Sequence, residues 1–93
     1  MKNMSVGLSV SVFKEGKMFV AFSPALDLST SGKTIAEAQK NFNEAVQIFF
    51  EETERKKTTN EALLSLGWEK KASTILPPVE VARTTTTVNV PVG

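Results

Sequence analysis

The segment that constrains this chain most begins at Thr34. Thr34 followed by Glu37 is a capping-box pair, in which a hydroxyl and a carboxylate satisfy amides at the start of a helix. Beyond it, Ile35, Ala38, Phe42, Ala45, Val46, Phe49 and Phe50 recur mostly at spacings of three and four, while Lys40, Asn43, Glu44, Gln47 and Glu51 fall mostly opposite. The pattern predicts one amphipathic helix from about Thr34 to about Lys56. Such a helix must bury its apolar stripe against another element. In a chain of 93 residues, every apolar element has to share one interior. The fold therefore turns on what the remaining residues offer as a second layer.

They offer extended chain. From Ser5 to Val12, Val6, Leu8, Val10 and Val12 alternate with Ser5, Gly7, Ser9 and Ser11, the period of a half-buried strand. Lys14-Glu15-Gly16-Lys17 supplies a glycine for a hairpin turn. Lys17 to Phe22 is apolar on both faces and predicts a central strand, ended at Ser23-Pro24 because proline has no amide to give a ladder. Leu26 to Ser31 predicts a short third strand closed by Gly32. After the helix, Thr58-Thr59-Asn60 offers a new N-cap and Glu61 to Leu66 a short second helix. Gly67 then stands where a left-handed residue ends a helix, with Trp68 placed to pack back on Leu63. Trp68 to Ile75 reads as a fourth strand, its alternation weakened by Glu69, Lys70 and Lys71. The expected fold is α+β, a small antiparallel sheet in the order β-β-β-α-(α)-β with one long amphipathic helix on one face.

Pro77-Pro78 marks a change of composition, which divides the chain into a domain over 1–75 and an extended tail over 76–93. Threonine and valine make the tail β-prone. Its phase shifts, with Val79 and Val81 odd-numbered and Val88, Val90 and Val92 even-numbered, so a bulge, a break or two separate pairings is needed. The tail can be a further strand of its own sheet or can add to a neighbour's. Because an exposed β edge is a liability unless covered, a homo-oligomer built through sheet edges and tail is expected.

Composition narrows the chemistry. Eleven basic and ten acidic residues leave a net charge of +1, without the concentrated basic face of a dedicated nucleic-acid binder. Cysteine and histidine are absent, so no disulfide forms, and zinc and iron–sulfur centres lack ligands. Met1-Lys2-Asn3-Met4-Ser5 leads into alternating valines and serines with neither a signal-peptide core nor a membrane span, and a cytoplasmic protein is expected. Glu15, Asp27 and Glu69 do not form an acidic constellation, and the serines have no histidine partner. Gly32-Lys33-Thr34 resembles the end of a phosphate loop, but Asp27 occupies the position of its first glycine. No enzyme and no cofactor are expected.

Some residues stand out as contact candidates. Asp27, at a strand-to-turn transition, caps local amides or meets a partner. Phe42, Phe49 and Phe50 are core by spacing, yet Phe49 and Phe50 are adjacent and cannot both point straight inward, which leaves Phe50 for an interface. Val79, Val81, Val88 and Val90 in the tail complete the set. The cations of Glu54-Arg55-Lys56-Lys57 suit the end of the long helix, and Lys70 and Lys71 could extend them into a basic patch.

Met18-Phe19-Val20-Ala21-Phe22-Ser23-Pro24-Ala25-Leu26-Asp27-Leu28 resembles the HicB family, whose members carry an aromatic-alanine strand ending in a Cys/Ser-Pro-x-Leu turn. Gly32-Lys33-Thr34-Ile35-Ala36-Glu37-Ala38 is similar to its G-x-T-x-x-E-A helix start, and Asn41-Phe42-Asn43-Glu44-Ala45 to the following N-hydrophobic-x-E-A turn. Leu66-Gly67-Trp68 recurs in one branch of the family. The resemblance runs from about Val6 to Trp68. It implies a partial ribonuclease-H-like fold and an antitoxin that blocks the active site of a HicA-type toxin, a small messenger-RNA interferase. The similarity is to a short form: the helix-turn-helix or ribbon-helix-helix domain that many members append has no counterpart here, so DNA binding has no evident carrier. A near-neutral charge is also unlike that of an inhibitor of a basic toxin. An orphan, self-associating HicB-like protein of unknown role, with or without a small-molecule ligand, is therefore the alternative.

Overall fold

The computed structural model describes residues 4–93; Met1 to Asn3, the start of the N-terminal segment considered above for a leader, lie outside the described residues. The elements are β1 (Ser11–Glu15), β2 (Met18–Ser23), β3 (Leu28–Gly32), α1 (Ile35–Arg55), α2 (Thr59–Ser65), β4 (Glu69–Lys71) and β5 (Thr74–Leu76). The fold is α+β. β1, β2 and β3 make an antiparallel sheet in that order, and β4 and β5 make a separate two-stranded one.

Gly16 takes φ 63° in the connection between β1 and β2, a backbone state that costs glycine nothing. The ladder it closes pairs Phe13 with Val20 and Ser11 with Phe22, and β2 pairs in turn with β3 through Ala21 and Thr30. β2 is thus central, as its two apolar faces predict. Phe19, Ala21 and Ser23 lie under α1, and alternation turns Met18, Val20 and Phe22 to the opposite face.

The first strand is not where the alternating valines put it. Pairing starts at Ser11, six residues after Ser5, because β2 ends at Ser23 and the chain turns away at Pro24. Residues 4–10 run on past the end of the ladder with nothing to pair against. Val6 and Val10 are exposed, and only Leu8 packs on the core. The third strand also starts later than expected. Ala25 and Leu26 are buried in a turn closed by the Asp27 amide donating to the Pro24 carbonyl at 3.2 Å.

The helix begins as its capping box dictates. The Glu37 amide donates to Thr34 Oγ1 at 3.0 Å, while the Glu37 carboxylate accepts from the Lys33 amide at 3.1 Å, one residue earlier than the usual reciprocal bond. Ala38 and Phe42 are its buried residues, packed on Ala21. Both helices end in Schellman geometry. Trp68 and Gly67 donate back to Leu63 and Leu64, with Gly67 at φ 93°, and Thr58 and Lys57 donate to Thr53 and Glu54. In the second case the left-handed position, φ 58°, is held by Lys57.

A second cluster of Ala25, Leu26, Leu63 and Trp68 fills the end of the sheet, and Trp68 Nε1 donates to the Ala25 carbonyl at 2.8 Å. That bond pins the α2 terminus to the turn after β2 and satisfies the indole in an apolar setting. The expected fourth strand is instead a hairpin off the main sheet. It reverses at Ala72, φ 52°; β4 carries only exposed charged residues, and β5 lays Ile75 alone on the second core cluster. Residues 77–93 are neither helix nor strand, and among the described residues no helix is long and apolar enough to cross a membrane.

Candidate interaction surface

The two edges of the main sheet differ. At β3, Asn41 Nδ2 donates to the Ser31 carbonyl at 2.8 Å and Thr30 Oγ1 donates to the Ala38 carbonyl at 2.9 Å, so α1 is stitched to that strand. β1, like β3, has a neighbour on one side only, but among the described residues no hydrogen bond joins it to α1. An unpaired row of amides and carbonyls is what a further strand recognises.

Two extended arms flank this open edge. The N-terminal arm, residues 4–10, leads into β1. The C-terminal arm, residues 77–93, leaves β5 after Leu76. Among the described residues neither arm takes part in a backbone–backbone hydrogen bond. A chain rich in β-branched residues with no ladder to join is an incomplete element.

One side-chain contact fastens the C-terminal arm. Arg83 Nη2 donates to Ser11 Oγ at 3.3 Å, and the same guanidinium forks onto Glu80 at 2.8 and 3.2 Å. The Arg83 hydrogen bond and charge hold the Glu80 carboxyl below its ordinary range, and Glu80 raises Arg83 in return. Between this knuckle and the body lies an open cleft of about 420 Å³, lined by Ser9, Pro24, Ala25, Pro78 and Arg83 among others. A smaller groove of about 220 Å³ runs where the N-terminal arm meets the helix, between Val10 and the side chains of Gln39, Phe42 and Asn43. On the far face of the sheet Phe13 is 54% exposed beside half-buried Val20.

The residues singled out from sequence divide. Asp27 serves through its backbone: it takes φ 49° at the end of the turn, and its carboxylate accepts no hydrogen bond among the described residues, contrary to the expected cap. Phe50 is half-buried against the cluster of Leu63 and Trp68, edge-to-face with Phe49 at 5.1 Å. Both phenylalanines pack on the core cluster, and each remains half-buried. Val79, Val81, Val88 and Val90 are all exposed, Val81 to 93%. Arg55 and Lys56 pair with Glu52, which takes them out of a free basic patch.

Val10, Phe13 and Arg83 belong to this surface and were not singled out. Glu80 and Arg83, one helical turn apart in number, were a visible charge pair. Val10 looked like core because its phase is right; only the early end of β2 exposes it. Among the described residues no group of three potential metal ligands shares a site. The chain matches no family model, no curated protein and no solved structure.

Proposed function

We propose that this chain is a non-enzymatic binding module that docks on another macromolecule, in the manner of a HicB-like antitoxin neutralising a HicA-type messenger-RNA interferase. The observation that supports it is the pair of extended arms lying unpaired beside the open β1 edge. Backbone groups in such a segment lose nothing by exchanging water for a partner's ladder, and alternate side chains then select the partner. The reading assigns no catalytic step, no cofactor and no DNA contact, and it goes with a cytoplasmic location.

The experiment is co-expression with a toxin-sized open reading frame adjacent on the chromosome. The expected result is rescue of growth and co-purification, both lost when residues 77–93 are removed from a chain that still melts cooperatively. Failure to co-purify would count against the toxin, and metal-dependent RNA hydrolysis by the purified protein would overturn the non-enzymatic assignment altogether. The near-neutral charge favours a second reading, an orphan protein that associates with itself, because an inhibitor of a basic toxin works better when acidic.

A further inference from the structure

We infer that the β1 edge and N-terminal arm of one molecule receive the C-terminal arm of a second copy, so that two chains exchange arms in a closed dimer. The inference deepens the docking reading, on which it rests, by naming the occupant of the edge.

Four features converge on that edge. Of the two sheet edges, β1 is the one that α1 leaves open, and residues 4–10 prolong it with backbone that no element of the same chain satisfies. The C-terminal arm is the complementary piece, with Val88, Val90 and Val92 on one side of an extended chain and no glycine before Gly93. The groove at Val10, Gln39, Phe42 and Asn43 lies on the helix side of the edge, where an added strand directs every second side chain. One of those valines, now exposed, would fill it against Phe42. Finally, geometry sends the arm outward. Arg83 is tied at Ser11, so the chain beyond it starts beside its own edge and extends from there. From Thr84 to Val92, at roughly 3.3 Å per residue, it reaches about 30 Å. The molecule measures 53 Å along its long axis against 28 and 22 Å across.

Exchange by two identical chains is self-complementary: each donates an arm and each accepts one, so the contact closes at two. Pro91, which has no amide, falls near the end of the added strand, where a missing ladder bond matters least.

The native chain has no cysteine, which makes the test clean. Ser9→Cys and Asn89→Cys are placed in separate chains, one of them enlarged by a tag, and the mixture is treated with a short bis-maleimide after measurement of its mass by sedimentation equilibrium. The expected result is a dimer whose tagged and untagged chains become linked, and which falls to monomer in Thr85→Pro/Thr87→Pro while the body still unfolds cooperatively. A monomer at every concentration would overturn the exchange. So would a link formed only within a double variant's own chain, which would mean that the arm folds back, or a dimer that persists in the proline variant. Loss of the dimer alone leaves toxin co-purification to be judged separately, so the two readings fail independently.

Discussion

The body from Ser11 to Leu76 and the two arms obey opposite rules, though they draw on the same residue types. In the body, apolar side chains find a second layer. Trp68 is 4% exposed and Phe42 3%, and the backbone between them is closed by ladders, caps and Schellman bonds. In the arms, valines of the same kind stand in solvent and the backbone is unpaired. Hydrophobicity alone does not make core; a chain also needs a neighbour at ladder distance. The arms have the composition of strands without a partner in the same molecule.

The comparison breaks most sharply at the centre of the body. Trp68→Ala removes the indole from the second cluster and its bond to Ala25, and should cost about 3–5 kcal/mol in denaturant unfolding. A loss well under that would mean that the second cluster is no firmer than the arms. Gly32→Ala comes next. A Cβ there would stand 2.5 Å from the Ala38 amide nitrogen and 2.8 Å from the Glu37 carbonyl carbon, both backbone atoms that cannot swing aside. The helix must lift from β3, at about 1–3 kcal/mol. An unchanged melting curve would show that the helix sits on the sheet more loosely than described.

Lys57→Gly tests the body in the other direction. A lysine at φ 58° pays a steric penalty that glycine avoids, partly offset by glycine's greater freedom when unfolded, and a gain of about 0.5 kcal/mol is expected in thermal unfolding. A loss would place the strain elsewhere. For the arms, Val88→Thr with Val90→Thr should change unfolding of an isolated chain by less than about 0.5 kcal/mol, as surface changes do. The same pair should lower the mass in solution. If stability fell with no change of mass, the arm would be packing on its own body.

The smallest effect concerns the Arg83 knuckle. Glu80 has a folded pKa below its unfolded value, so its pairing contributes at pH above the unfolded value and is lost as pH falls through the folded one. Because both groups are exposed, acidification should loosen the arm, seen as lower NMR backbone order parameters from Val79 to Thr84, without moving the body's melting temperature. A coupled drop in both would tie the arm to the core.

Much of the fold was legible in the order of residues, for local reasons. The Thr34 cap, the Gly16 turn, the central β2 and the Gly67-Trp68 terminus each depend on groups a few positions apart, so spacing is enough to find them. The candidate surface was legible in part: the valine-rich arm stands out by composition, Asp27 is exposed without the local cap expected of it, and Phe50 turns half inward on the core.

What the sequence by itself determined is the β-β-β-α-α order of the body and the extended character of the arms. What only the tertiary structure decided is which valines have a partner. Val10 and Val12 are the same residue type two steps apart on one face. Val12 packs on Ala38 and Phe42's cluster, while Val10 lies exposed beyond the ladder, because β2 has already turned away at Pro24. Where a neighbouring strand ends is a property of the assembled sheet. A ladder joins residues far apart in the chain, and no local spacing encodes its length.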